Sequence, residues 1–211
     1  MDPKSITRAL QDDIESGELP PGAVLKQELI AERFGVSRQP VRQALDRLLG
    51  SGLVVRRPDR SLEVAVLSER AAAELSGLRA ILETAALEQS LPSLSPSALR
   101  KAERLNEALV AEYDPLQIED LDQQFHFTLY SGCNNARLLE TIRTLRRESR
   151  RACLHQERGA QARVDFFDEH AALVAACVRR DFDSAAKHLR QHLTQTTAAL
   201  LSKPTSEGNP A

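Results

Sequence analysis

Apolar residues recur at helical spacing along most of this chain, and shift to a two-residue period between about positions 53 and 66. Lys26 to Phe34 reads as a short amphipathic helix. Gly35 supplies a tight turn, because a positive φ is cheap only for glycine. Ser37 is then a good N-cap, and Pro40 falls in the first turn of the next helix, where its missing N–H costs nothing. Val41, Leu45, Leu48 and Leu49 form the buried face of that helix. Arg38, Gln39, Arg42 and Gln43 point outward near its N-terminal end. This is the pattern of a helix-turn-helix whose second helix enters a major groove. Arg bonds a guanine edge or a phosphate there, and Gln bonds adenine. An ordinary helical hairpin with a solvated polar face is the alternative. The next segment argues against it. Leu53-Val54-Val55 is a β-type run, Arg56-Arg57-Pro58-Asp59-Arg60 a basic turn, and Leu62 to Val66 an alternating strand. Together they predict a two-stranded wing, with Arg57 and Arg60 at its tip.

The remainder predicts helices without strands. Their expected spans are 68–90, 97–113, 115 to about 131, 136–156, 162–180 and 182–201. Leu75, Leu78, Leu82, Ala85 and Ala86 are the expected apolar side of the first, and Gly159 breaks the fourth from the fifth. The expected fold is therefore mainly α: an N-terminal winged helix-turn-helix, residues 1–67, and a C-terminal all-α six-helix bundle, residues 68–201. Residues 202–211 are rich in Pro, Ser, Gly and Asn and read as a disordered tail.

Composition changes the picture in three ways. The net charge is −2, so no global basic field draws the chain to nucleic acid. Positive charge is local instead: positions 36–60 hold six arginines against Asp46 and Asp59. The longest apolar run, Ala171 to Val178, is far too short to span a membrane, and no signal-like segment opens the chain. Cys133, Cys153 and Cys177 lack metal-ligand spacing and read as reduced thiols of a cytoplasmic protein. With no Trp, the chain is no stacking platform for single-stranded nucleic acid.

One constellation in the bundle carries chemistry. Asp122 and His126 are four apart and share one helix face. His170 and His192 lie about equally far on either side of a turn at Asp181. In an antiparallel hairpin two such residues arrive at the same height, about 16 Å from the turn. One carboxylate and three imidazoles suit a divalent transition metal (Zn²⁺, Ni²⁺, Mn²⁺ or Fe²⁺), with open positions for water or ligand. A local Asp–His hydrogen bond is the bland alternative, and His188 competes by pairing with His192. His155 sits among Arg150, Arg151 and Arg158 and reads as a surface residue.

Two resemblances join these observations. Ile14-Glu15-Ser16-Gly17-Glu18-Leu19-Pro20-Pro21-Gly22, the run Val36 to Leu45, Leu48 and Gly52-Leu53-Val54 resemble the winged-helix domain of GntR-type bacterial transcription regulators. That resemblance implies DNA contacts from Ser37, Arg38, Gln39 and Arg42. Pro58-Asp59 stands where the family usually has a glycine near the wing tip. Asp122-x-x-Phe125-His126-x-x-Leu129, Glu169-His170-x-x-Leu173-x-x-Ala176 and His192-Leu193 are similar to the FCD domain of the FadR subfamily, as is Leu78-Arg79-x-x-Leu82-Glu83. Cys133 looks like a one-residue insertion beside that domain's Ser-Gly-Asn turn. In metal-binding members the positions of Asp122, His126, His170 and His192 carry the ion.

The resemblance implies a ligand-responsive repressor or activator, not an enzyme. It would be a homodimer on a palindromic DNA operator, responding to a small carboxylate or sugar acid. Arg79, Arg143 and Arg147, with Arg150, are the arginines able to clamp that carboxylate. Two rivals stand beside this reading. One is a metal-dependent helical-bundle enzyme with a DNA-binding appendage. The other is a DNA-binding structural protein whose bundle only dimerises.

Overall fold

The computed structural model describes the backbone of residues 1–153 and 160–201, and the side chains of residues 1–149 and 165–195. The expectations for Arg150, Arg151, His155, Arg158, Gly159 and the tail 202–211 lie outside those side chains and residues. Two compact units form, one built on Met1–Ser68 and the other on Glu69–Ser149 with the last two helices.

The first unit opens with a helix that the pattern reading above does not include: α1, Pro3–Ser16. Asp2 caps it by accepting hydrogen bonds from the backbone of Lys4 and Ser5. Ile6, Leu10 and Ile14, spaced four apart, are buried along one face. The expected pair follows as α2, Gln27–Phe34, and α3, Arg38–Gly50. Gly35 stands between them at φ 61°, the left-handed conformation that allows so short a turn. Val41, Ala44, Leu45 and Leu48 of α3 pack with the α1 residues and with Ile30, and Leu49 is only partly buried. Ser37 occupies the N-cap position of α3, but its hydroxyl makes no capping bond and remains exposed.

The wing is present, though shorter than its apolar pattern. Strands β1, Val54–Arg56, and β2, Leu62–Val64, pair antiparallel with Val54 opposite Val64. Val24 adds one bridge to Glu63. The tip folds without glycine. Arg60 adopts φ 69°, and its N–H donates to the carbonyl of Arg57 at 2.9 Å. A left-handed residue with a side chain costs about 1–2 kcal/mol. Asp59 offsets part of that by accepting from the N–H of Ser61 at 2.9 Å and its hydroxyl at 2.6 Å.

The second unit has the six helices its periodicity predicts: α4, Glu69–Ser90; α5, Pro96–Ala111; α6, Pro115–Leu129; α7, Ala136–Cys153; α8, Ala160–Val178; and α9, Phe182–Leu201. A short 3₁₀ turn, Leu91–Ser93, follows α4. Ser95 caps α5 and Asp114 caps α6, so α5 starts one residue before its expected position. Tyr130 ends α6, its N–H bonded back to the carbonyl of His126 at 3.0 Å. Leu87, Leu94, Phe125, Leu129, Ile142, Leu173 and Leu189 fill the core.

One expectation for α4 is corrected. Leu78 points outward and is 52% exposed. The buried stripe runs instead through Leu75, Arg79, Glu83 and Leu87, because Arg79 and Glu83 are paired and can share the interior. The end of α6 also fixes the site's lower edge. A Cβ on Gly132 would stand 2.6 Å from the carbonyl oxygen of Ser90, too close for any other residue. The Ser90 hydroxyl accepts from the N–H of Gly132 and donates to the carbonyl of Leu129.

Candidate metal centre and DNA-binding face

Three helices of the second unit bring the four candidate ligands together. Asp122 and His126 lie one turn apart on α6, His170 on α8 and His192 on α9. One ligand atom from each falls within 4.8 Å of all the others. The antiparallel α8–α9 hairpin sets His170 and His192 at one height, with their Nε2 atoms 3.3 Å apart. His188 is only partly buried and is not in the group.

The outer nitrogens decide what the inner ones present. His192 Nδ1 lies 2.8 Å from Glu169 Oε2, a carboxylate that can only accept, so Nδ1 carries the proton. Asn106 donates its amide N–H to the carbonyl of Phe167 at 3.0 Å. Its Oδ1 therefore faces His170 Nδ1, 3.2 Å away, and that nitrogen also donates. Tyr130 donates its hydroxyl proton to Glu83 Oε2 at 2.8 Å, which leaves its oxygen to accept from His126 Nδ1 at 3.3 Å. With Nδ1 so engaged, each imidazole turns its Nε2 inward, and in His126 and His170 that nitrogen is unprotonated. Asp122 Oδ1 joins them, 3.5 Å from both His126 Nε2 and His170 Nε2. Asp122 Oδ1 and His126 Nε2 are buried and lack a hydrogen-bond partner. Two buried lone pairs are thus left unsatisfied beside the facing nitrogens of His170 and His192, and a cation placed there would satisfy them.

A buried ionic network surrounds this point. Arg146 bridges Glu83 Oε2 and Asp122 Oδ2, each at 2.6 Å. Arg79 Nε donates to Glu83 Oε1 at 2.8 Å, and its Nη1 to the Ser149 hydroxyl at 3.0 Å. Burial opposes the charge on Glu83, but Arg146 and Arg79 outweigh it and hold the carboxyl at about 2. Burial opposes the charge on Asp122 as well, but Arg146 outweighs it and holds the carboxyl well below the usual carboxylate range. Burial, with Arg146 adding to it, depresses His126 to about 4. Burial and the adjacent imidazoles depress His170 as well.

Of the four arginines proposed as clamps, Arg150 lies outside the described side chains; among the other three only Arg79 reaches this network, and it is held there by Glu83. Arg143 and Arg147 are not brought to the site. Both are about half exposed and face Glu140 from the outer side of α7, and Arg143 also lies over the ring of Phe127. Arg146, which the sequence reading did not single out, takes the inner position. It shares a face with buried Ile142 and Ser149, and that spacing was the available signal.

In the first unit, Ser37, Arg38, Gln39 and Arg42 are exposed on the first turns of α3, and Arg57 and Arg60 on the wing. Lys26, Arg42, Asp46, Arg56, Arg57 and Arg60 line a groove between α3 and the wing. Arg38 is 3.1 Å from Glu28 and Arg57 is 3.6 Å from Glu63. Exposed pairs of this kind are worth under about 1 kcal/mol and exchange readily for a phosphate.

Comparison with known proteins fits both faces. A model of bacterial regulatory proteins, gntR family, matches residues 3–64, and the FCD domain model matches residues 74–195. The chain belongs to the GntR family. It is similar to the HTH-type transcriptional repressor GlaR of Escherichia coli K12, 26% identical over 88% of this chain and 90% of GlaR. The HTH-type transcriptional regulator McbR of the same strain is 30% identical over 67% of each chain. The solved structure of E. coli McbR shares the fold, with a TM-score of 0.72 at 24% identity over 94% of this chain and 96% of McbR. A GntR family member from Pseudomonas syringae pv. tomato gives 0.56 at 30% identity, over 93% and 83%. These relatives are transcription regulators and not enzymes, and this GntR chain is a DNA-binding regulator of the same kind. Among its described residues no helix is long and apolar enough to cross a membrane.

The shifted groups of this GntR chain set a pH dependence. The unfolded chain protonates His126 near 6.5, the folded one near 4, so lowering pH through that window favours unfolding. Glu83, held at about 2 against 4.5, adds a second loss at lower pH. Metal-free protein is expected to be insensitive to pH just above 7. It should lose on the order of 3 kcal/mol between pH 6.5 and 4, and more below. Urea unfolding at stepped pH reads this, and a flat profile from 7 to 4 contradicts the neutral, buried imidazoles.

Proposed function

We propose that this regulator is a homodimeric repressor, acting in the cytoplasm on a palindromic DNA operator and switched by a small carboxylate or sugar acid. Residues 1–67 read DNA through Ser37, Arg38, Gln39 and Arg42, with Arg57 and Arg60 of the wing on the backbone. Residues 68–201 dimerise and bind the effector. Asp122, His126, His170 and His192 would hold a divalent transition metal, Zn²⁺, Ni²⁺, Mn²⁺ or Fe²⁺. The convergence of four candidate ligand atoms within 4.8 Å, with Asp122 Oδ1 and His126 Nε2 buried and lacking a hydrogen-bond partner, carries this reading. Repression is supported by the relatives GlaR and RspR of Escherichia coli, both HTH-type transcriptional repressors.

Charge supports an anionic effector. The bonded network counts three carboxylates against two guanidinium groups: Asp122 and Glu83 pair with Arg146 and Arg79, and Glu169 accepts from His192. A divalent ion would leave that group one positive charge in excess, which one carboxylate neutralises. When bound, the metal supplies an open Lewis-acid position for a carboxylate oxygen. The chain's own part is to hold the imidazoles neutral and to keep Asp122 ionised. Dimerisation is supported by α4, which turns Leu78 and Ile81 outward, 52% and 68% exposed and one turn apart. Two winged units related by a two-fold axis read one half-site each.

Arg38→Ala and Arg42→Ala should each weaken operator binding by about 1–3 kcal/mol if the side chain reads a base. Arg57→Ala and Arg60→Ala should weaken it on all sequences and flatten its salt dependence. Fluorescence anisotropy on a duplex from the gene's own upstream region measures both. Wild-type affinity in the α3 variants would show that another surface reads the DNA.

The switch is tested with a panel of organic and sugar acids. One of them should raise the melting temperature of the wild type and change its operator affinity. A hundredfold change needs about 2.7 kcal/mol of differential binding, and operator must change effector affinity by the same factor. His126→Ala should abolish both responses. An acid that still binds after the metal is lost sinks the coordination mechanism and leaves the DNA reading intact.

A further inference from the structure

Glu83 is fully buried on α4, a helix that supplies none of the four candidate ligands. It nevertheless accepts three hydrogen bonds, from Arg79 on Oε1 and from Arg146 and Tyr130 on Oε2. Two of those donors act on ligands. Arg146 grips Asp122 by Oδ2 and leaves Oδ1 aimed at the imidazoles of His126 and His170. Tyr130 spends its only proton on Glu83 and so must accept from His126 Nδ1. The carboxylate of Glu83 thereby sets both the rotamer of Asp122 and the tautomer of His126.

We propose that Glu83 is a positioning residue of the metal centre, fixing Asp122 through Arg146 and the unprotonated Nε2 of His126 through Tyr130. The inference rests on the metal reading above. An amide in its place exposes the logic. The carboxylate offers an acceptor on each side, and Gln offers one acceptor and one donor. If the Gln NH₂ takes the place of Oε2, it opposes Arg146 and loosens its grip on Asp122, while the phenol reverses, donates to His126 Nδ1, and moves the imidazole proton to Nε2, where it blocks the ligand position. If the NH₂ faces Arg79, two donors meet in a buried space and that side opens.

The test uses the whole protein loaded with Zn²⁺ or Co²⁺. Glu83→Gln should lower Zn²⁺ affinity by about 10- to 100-fold in a chelator-dye competition, although all four ligands remain. Its Co²⁺ complex should show a shifted visible band, because the donor set is altered. Tyr130→Phe keeps the ring and removes only the hydroxyl, so it probes the His126 branch if Glu83→Gln does not fold. It should give a smaller loss of affinity and its own spectral shift. Zn²⁺ affinity and Co²⁺ spectrum at wild-type values in the folded variants, with only the melting temperature lowered, would overturn the proposal. A wild type that binds neither ion overturns the metal reading itself, and this inference with it.

Discussion

Four electron-pair donors buried at one point are the constraint around which the helical unit is arranged. Among the described residues, Asp122 Oδ1 and His126 Nε2 have no hydrogen-bond partner at this point, where His170 and His192 also converge. Their outer atoms are all committed elsewhere: to Tyr130, Asn106, Glu169 and Arg146. An interior of this kind is unfavourable alone, since each unpaired buried group forfeits about 1–3 kcal/mol. A cation turns the same arrangement into a source of stability. The surrounding ion network is of the type that is weak evidence for stability on its own account, because desolvation offsets attraction. Its geometric role is clearer, since Arg146 holds Asp122 and Tyr130 meets His126, both of which point at the centre.

The DNA-binding unit follows a different economy. Its positive charge is local and the ion pair of Arg38 is exposed, so the proposed docking to DNA would be salt-sensitive, with specificity left to the few side chains of α3. The net charge of −2 for the whole chain suits a protein that must leave DNA as well as find it. In sequence the two functions meet at α4, which begins five residues after β2 ends and carries Glu83 into the buried network. A ligand that perturbs that network acts on the helix leading back to the wing. It can do so only through unequal affinity for two arrangements of the protein.

Much of this was legible in the sequence for identifiable reasons. The helix-turn-helix and wing are written in local periods, and Gly35 marks their turn. The metal candidates were legible because Asp122 and His126 are four apart, and because His170 and His192 are symmetric about Asp181. That symmetry also decides between His192 and His188. Other features were hidden by context. Arg146 sits in a helix crowded with arginines, where only its spacing from Ile142 sets it apart from Arg143 and Arg147. Arg79 looked like a clamp, and the fold holds it to Glu83. Leu78 looked like core, but a buried Arg–Glu pair took the inner stripe of α4. The first helix, α1, was readable in Ile6, Leu10 and Ile14, yet most of its residues are polar. Tyr130, Asn106 and Glu169 are not neighbours of all the ligands in sequence, so only the folded chain shows that they set the tautomers.

The metal centre is tested most directly by elemental analysis of protein purified without chelator or nickel resin. About one divalent transition-metal ion per chain is expected, lost together with much of the thermal stability on exhaustive chelation and restored by adding it back. Folded, operator-binding protein that holds no metal, and whose melting temperature does not respond to added Zn²⁺, Ni²⁺, Mn²⁺ or Fe²⁺, would contradict it.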